Sequence, residues 1–241
     1  MHRQEIEHSG VLLVDKEQDM TSHDVVAIAR RSLGIRKIGH CGTLDPMATG
    51  LLMLVVGRAT KIQDLLMSED KEYVGTITLG QTTNTQDAKG EVLVEAEVGD
   101  YSEEQIRAVF EEYTGAFEQM PPMVSAIKKD GVPLYKLARK GQEVERALRP
   151  VHVTSYEITR VALPEIEFVV NCSKGFYVRT YAHDIGAKLG CGGHLSALRR
   201  TRSGRFNLER TISIDQLKNG EREELLKSMV SLAEISLMRG A

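Results

Sequence analysis

The strongest constraint on this chain is the stretch Gly39-His40-Cys41-Gly42-Thr43-Leu44-Asp45-Pro46-Met47-Ala48-Thr49-Gly50, followed at once by the unbroken apolar run Leu51 to Val56. Bounded by Gly50 and Gly57, the apolar run reads as a buried strand. The segment before it reads as a loop punctuated by Gly39, Gly42 and Gly50, and it holds a single carboxylate, Asp45. Pro46 biases Asp45 toward extended backbone and restricts the loop, so the carboxylate is presented in a defined place. The plainer alternative is a loop aspartate that satisfies nearby backbone N–H groups.

Around this segment the chain mixes short strands and helices. Val11 to Val14, followed by Asp15 and Lys16, reads as a second buried strand that delivers a polar loop. Thr21 and Ser22 are N-caps for a helix with the stripe Val25, Val26, Ala29 and Leu33, closed by Gly34. Ile62, Leu65 and Leu66 suit a short helix. Tyr73, Gly75, Ile77 and Leu79 alternate with Val74, Thr76 and Thr78, which predicts an antiparallel strand with one wet face. Val92, Val94, Ala96 and Val98, alternating with Glu91, Leu93, Glu95 and Glu97, predict another. Ser102 with Gln105 is a capping box that opens a helix ended by Gly115. Further expected elements are a short basic helix from Leu134 to Lys140, strands at Val151 to Arg160 and Ile166 to Cys172, and helices at about Val178 to Leu189 and Glu221 to Ile235. The order is no regular alternation of strand and helix, so the fold class is α+β, with a mixed, mainly antiparallel central sheet flanked by helices. Without an internal repeat or a long Gly/Ser/Pro linker, residues 10 to 217 read as one domain.

A lone carboxylate can be a nucleophile when a cation keeps it ionised and an acid or base lies near. Arg179, near a helix start in Cys172-Ser173-Lys174-Gly175-Phe176-Tyr177-Val178-Arg179-Thr180, offers a bidentate fork that Lys does not. Tyr73, in Lys71-Glu72-Tyr73-Val74, is the candidate acid or base. A surface ion pair for Arg179 and an ordinary half-buried strand tyrosine for Tyr73 are the plainer alternatives.

Composition removes several classes. Apolar residues are 41 % and charged residues 27 % of the chain, in the globular range, which excludes collagen-like and wholly disordered chains. No stretch approaches the roughly 18 apolar residues of a membrane span, and Met1 to Gly10 has no apolar h-region, so neither membrane nor secretory signal is expected. Cys41, Cys172 and Cys191 are sparse and odd in number, which argues for reduced thiols in a cytoplasm. The net charge of −3 points by itself away from nucleic acid. Its distribution does not. Arg30, Arg31, Arg36 and Lys37 lie together with no acid between them. Lys128, Lys129, Lys136, Arg139, Lys140, Arg146 and Arg149 face only Asp130, Glu143 and Glu145, and Arg199, Arg200, Arg202 and Arg205 form a third cluster. Residues 91 to 112 hold eight acids and Arg107 alone. If the basic runs share one face they can steer and hold a polyanion; otherwise they are solvated faces.

The Asp45 segment resembles the catalytic motif of the TruB family, the tRNA pseudouridine-55 synthases. Four further segments extend the resemblance in family order: Lys71-Glu72-Tyr73; Gln119 to Lys128, with Pro121-Pro122 and Ser125-Ala126; Ser173 to Thr180; and Leu198 to Phe206. The helix Leu134 to Gly141 also matches, and together the matches cover residues 10 to 217. The resemblance implies the pseudouridine synthase catalytic fold and isomerisation of uridine to pseudouridine at position 55 in the T-loop of tRNA, without cofactor or metal and with no obligatory protein partner. It implies that Asp45 is the nucleophile, that Tyr73 stacks on the flipped-out target base and takes part in proton transfer, and that Arg179 pairs with Asp45. His40 would hold the T-loop in its rearranged form, Tyr177 and Leu198 would line the pocket, and Lys16 would support the site. Moving uracil between glycosidic bonds needs the base detached, turned and rejoined without water intervening, which suits an enclosed carboxylate.

Two departures from the family pattern stand out. The first family motif reads Lys-Pro-x-Gly-x-Thr-Ser, whereas Lys16-Glu17-Gln18-Asp19-Met20-Thr21-Ser22 lacks the Pro and the Gly, so a differently shaped loop is expected. Members commonly carry a small C-terminal PUA-type domain, and the residues after Leu217 are too few for a complete one; residues 218 to 241 are expected as a short helical tail, with reduced contacts to the acceptor end of tRNA. Rival readings are a guide-RNA-dependent rRNA synthase of the Cbf5/dyskerin type and a tRNA-binding or folding protein with secondary catalysis. Cys191-Gly192-Gly193-His194 is half a zinc site without its second pair, and His23, His152 and His183 read as helix or strand residues. There is no G-x-G-x-x-G, P-loop or G-x-S-x-G.

Overall fold

The computed structural model describes residues 8–125, 127–129, 131–138, 140–142 and 144–239, with the backbone alone for Lys128 and Lys129. Arg139, Asp130 and Glu143 of the basic stretch, Ala126 of the Pro-Pro segment, and Met1 to Glu7 of the segment judged to lack a secretory signal lie outside the described residues.

Buried apolar runs and capping residues set the elements. In chain order they are Gly10–Lys16 (β1), Ser22–Leu33 (α1), Ile38–Cys41 (β2), Thr49–Val56 (β3), Gln63–Met67 (α2), Lys71–Leu79 (β4), Gln81–Thr83 (β5) and Val92–Glu95 (β6). Next come Glu103–Glu112 (α3), Gly115–Gln119 (β7), Lys128–Lys129 (β8), Val132–Pro133 (β9), Leu134–Ala138 (α4), Arg149–Ala162 (β10) and Glu165–Cys172 (β11). The last group is Val178–Leu189 (α5), Gly193–Ser203 (β12), Phe206–Asn207 (β13), Ile212–Ser213 (β14), Ile214–Asn219 (α6), Arg222–Lys227 (α7), Val230–Ser231 (β15) and Leu232–Met238 (α8). These residues form two compact units, one running up to Lys71 and resuming at Arg199, the other spanning Glu72–Leu198.

In the first unit β1 and β3 run antiparallel in unbroken register from Gly10↔Val56 to Lys16↔Gly50. The other edge of β3 is shared, β2 pairing antiparallel through Ile38↔Val56 to Cys41↔Met53 and β12 pairing parallel through Arg199↔Thr49 and Arg200↔Gly50. All of Leu51 to Val56 is 0 % exposed. Successive side chains point to opposite faces, so both faces of this strand are covered, which is why its sequence is apolar without alternation. One face joins Val11, Leu13, Leu51, Met53 and Val55 to Leu66, Phe206 and Ile235. Helix α1 buries Val25, Val26, Ala29 and Leu33 and packs on α6. Its ends are those expected: Thr21 and Asp24 make a reciprocal capping box, and Gly34 closes the helix at φ 65°.

In the second unit β4, β11, β10 and β7 lie in that order, with β10 antiparallel to both neighbours. Tyr73, Gly75, Ile77 and Leu79 are buried along β4 while Val74 is exposed, as the alternation predicts. Helix α3, opened by the Ser102/Gln105 capping box, packs against α5. Phe110, Phe168 and Tyr181 meet between them at ring-centroid distances of 5.6 to 5.9 Å. Both units are α+β, and strand pairing is mixed but mainly antiparallel.

Several expectations need correction. Gly39 to Cys41 is not loop but strand β2, which pairs antiparallel with β3 across the Asp45 loop. Strand β6 is exposed on both faces, because its partner β5 makes a two-stranded sheet with no layer over it. Helix α3 ends at Glu112, and Gly115, at φ 79°, opens β7 instead of closing the helix. The last expected helix is two, α7 and α8, parted by β15, which pairs with the start of β1. Strand β12 escaped the apolar pattern because one of its inward positions is an arginine, Arg200.

Candidate active site

Lys16, His40 and Asp45 belong to the first unit; Tyr73, Tyr177, Arg179 and Leu198 belong to the second. Asp45 is half-buried in the loop between β2 and β3, and that loop is anchored by sequence-distant residues and by its own backbone. The Ser22 hydroxyl, 1 % exposed, accepts from Leu44 N at 2.9 Å and donates to Leu44 O at 3.1 Å. Pro46 O accepts from Asp19 N at 2.8 Å, and Ala48 N donates back to Asp45 O at 3.0 Å. Asp45 therefore sits between two residues whose backbones are tied down.

Lys16 is fully buried at the end of β1. Its Nζ donates to Glu17 O and Met20 O, each at 2.8 Å, and to Pro46 O at 3.5 Å. Burial pulls its pKa down to about 8; Asp45, then Asp19 and Asp24, oppose that shift, and Arg200 adds to it. The loop Glu17 to Met20 holds Asp19 at φ 62°, the left-handed conformation that glycine adopts without cost and aspartate tolerates. The position where the family motif has Gly thus keeps the backbone geometry a glycine would serve.

His40, on β2, packs edge-on against His23 of α1 at a centroid distance of 5.2 Å. Burial holds its pKa down at about 4, with His23 and Arg200 pushing the same way, so the ring is neutral near pH 7. The neighbouring thiol of Cys41 is pushed up to about 12 by burial and is no nucleophile. Asp45 is the one carboxylate of this segment.

In the second unit Arg179 lies in the first turn of α5 and is 4 % exposed, which rules out the surface ion pair. Its guanidinium donates to Thr85 O at 2.8 Å and Val124 O at 2.7 Å, with Asp87 Oδ2 at 3.8 Å. Asp87 is itself buried and accepts from Thr85 Oγ1 at 2.6 Å and Lys89 N at 3.0 Å. Tyr177 caps the N-terminus of α5, and its backbone is bracketed by the amide of buried Gln119, which accepts from Tyr177 N at 2.8 Å and donates to Tyr177 O at 3.1 Å. Tyr73 and Leu198 are buried on β4 and β12, at 9 % and 8 % exposure.

Sequence reasoning missed Arg200, Asp87 and Gln119, and saw Ser22 only as a cap. Each acts on a segment far away in sequence; Gln119 and Arg200 stand inside segments that match the family pattern, but nothing local marks what they touch. The basic clusters also change. Arg199 is bidentate to Asp15 at 3.0 and 2.6 Å, and Arg200 is 1 % exposed, so neither is a free surface cation. Arg30, Arg31, Arg36 and Lys37 are exposed in the first unit, and Lys136, Lys140 and Arg149 in the second. Among the described residues no group of three or more His, Cys, Asp or Glu could hold a metal ion, and no helix is long and apolar enough to cross a membrane.

Comparison with known proteins places the chain in a family. A family model described as TruB family pseudouridylate synthase (N terminal domain) matches residues 30–178, and one described as tRNA pseudouridylate synthase B C-terminal domain matches residues 179–237. The chain is 54 % identical over 224 residues to tRNA pseudouridine synthase B of Opitutus terrae, covering 93 % of each chain. It is 47 % identical over 226 residues to tRNA pseudouridine synthase B of Syntrophotalea carbinolica, covering 94 % of this chain and 74 % of that one. Among solved structures, a chain from the crystal structure of a Cbf5-Nop10-Gar1 complex superposes with a TM-score of 0.72 at 30 % identity, covering 97 % of this chain and 63 % of that one.

Proposed function

The chain belongs to the TruB family of pseudouridylate synthases, and on that premise we propose that it isomerises uridine to pseudouridine at position 55 in the T-loop of tRNA. The rearrangement breaks the N1–C1′ bond, turns the uracil and forms a C5–C1′ bond; C5 gives up a proton and N1 gains one, so no atom is added or lost. Asp45 is the nucleophile. Tyr73 stacks on the target base and takes part in proton transfer, and Arg179 is required for the same turnover. His40 contacts the T-loop as a neutral ring, Tyr177 and Leu198 line the pocket, and Lys16 supports the Asp45 loop from beneath. The target base leaves its stack to reach the carboxylate, while exposed cations take the RNA backbone. The enzyme acts in the cytoplasm on tRNA alone, without a guide RNA or protein partner.

One observation carries the assignment of Asp45: its loop is tied down on both sides, at Leu44 and Pro46, and presents one carboxylate beside the buried ammonium of Lys16. The test is carbodiimide mapping and primer extension on an unmodified tRNA transcript with the wild-type protein and Asp45→Asn. A stop at position 55 with wild type alone, while the variant still binds tRNA, is the expected result. Activity in the variant removes Asp45 as nucleophile. Binding by both proteins without any stop leaves the folding role, and a stop that needs added guide RNA favours the Cbf5 type.

A further inference from the structure

Among the described residues Arg200 is the arginine whose guanidinium reaches both ends of the Asp45 loop. It lies in β12 opposite Gly50 of β3 and is 1 % exposed. Its Nε donates to Leu51 O at 2.7 Å, and its Nη2 donates to Gly42 O at 3.2 Å. Leu51 follows the loop and Gly42 opens it. Among the described residues no carboxylate makes an ion pair with Arg200, so carbonyl oxygens are its hydrogen-bond partners. A guanidinium keeps its charge in a protein, and burying it without a counter-ion is costly. A Leu or Met would fill the same space without that cost, so packing does not account for an arginine here.

The glycines of the segment point the same way. A Cβ on Gly42, at φ 79°, would stand 3.2 Å from Arg200 Nη1, and one on Gly50, at φ 97°, would stand 2.3 Å from Arg200 O. Both glycines that bracket the loop leave room for this residue, its side chain at one end and its backbone at the other. Ser22 holds the loop at Leu44, and Lys16 with Asp19 holds it at Pro46. Arg200 supplies the two outer anchors.

We infer that Arg200 is a positioning residue: its buried planar fork closes the ends of the Asp45 loop on one another and thereby sets where the carboxylate stands. It touches no reacting atom. The loop-closing role stands on the geometry alone, whereas its consequence for turnover rests on the proposed function. Lys at this position keeps the charge but cannot reach two carbonyls with a planar fork. Displacing a reacting group by about 1 Å costs about 100-fold in rate.

The experiment uses the full chain with Arg200→Lys, Arg200→Met and Gly42→Ala, the last pressing on the fork while leaving Arg200 in place. Three readouts are taken: amide hydrogen exchange of residues 42 to 48, single-turnover pseudouridine formation in tRNA, and tRNA affinity. The expected result is exchange faster by about tenfold or more in that segment and turnover slower by about 100-fold, with affinity within about threefold of wild type. Wild-type exchange and turnover in Arg200→Lys overturn the inference, as does a loss of affinity that matches the loss of rate. Should the Arg200 variants not fold, Gly42→Ala decides, and wild-type behaviour there overturns it. Faster exchange in the variants beside a wild type that makes no pseudouridine would sink the functional reading and leave the loop-closing role standing.

Discussion

Arg179 shows how a residue type can be legible while its surroundings are not. An arginine at a helix start can be read from sequence, but nothing local shows that the carbonyls of Thr85 and Val124 hold its fork or that the buried Asp87 lies beside it. Two N–H groups at fixed spacing in one plane hold the two carbonyls, a geometry that the compact ammonium of lysine on a flexible stem does not reproduce. Arg179→Lys should therefore lower single-turnover pseudouridine formation by about 100-fold or more, and a wild-type rate would remove the argument from the fork. Asp45 was legible because Pro46 and three glycines surround it; Arg200 was hidden because a run of arginines looks like surface. His40 carries a second prediction. Its folded pKa of about 4 lies below its ordinary 6.5, so as pH falls the unfolded chain takes this proton first. Stability from neutral His40 is complete above about pH 6.5 and is lost between 6.5 and 4, at no more than about 1.4 kcal/mol per pH unit. Urea midpoints measured from pH 4 to 7 should fall more steeply for wild type than for His40→Gln; parallel curves would show that the ring is not held neutral by the fold.

Helix α1 and the loop before it carry the comparison to the scale of elements. The caps of α1, the two-faced burial of β3 and the alternation of β4 were all readable, because each is set by residues within one turn or one strand. What failed was pairing beyond the element itself: β2 is a strand because the next strand, β3, lies beside it, and β15 parts the C-terminal helices because the distant β1 offers an edge. The same logic explains Asp19. The family pattern has glycine there, and the chain keeps a left-handed residue at φ 62° whose N–H closes onto Pro46 O. Asp19→Gly and Asp19→Ala remove the same carboxylate, so their difference isolates the backbone. Alanine should be less stable than glycine by about 1 kcal/mol, the cost of left-handed geometry for a residue with a Cβ. Equal urea midpoints for the two variants would mean that the loop relaxes out of that conformation.

At the scale of the whole molecule, a net charge of −3 coexists with a polyanionic substrate because the charges are sorted along the chain. The eight acids of residues 91 to 112 are all exposed in the second unit, while Arg30, Arg31, Arg36 and Lys37 are exposed in the first. Counting cations from sequence overstates the RNA-facing set, since Arg199 is neutralised by Asp15 and Arg200 is buried. Each cation that displaces a counterion from RNA adds about 0.7 to 0.9 to the slope of log affinity against log salt. Arg36 and Lys37 are exposed at the end of α1 and before β2, so replacing both with Ala should lower the slope by about 1.4 to 1.8. Arg200→Met should leave the slope unchanged, because its charge faces carbonyl oxygens and no phosphate. Filter binding of tRNA between about 50 and 200 mM salt measures all three proteins. A flat profile for wild type would remove the polyanion-binding role of the exposed runs, and equal slopes for wild type and the Arg36/Lys37 variant would remove that role from this run alone.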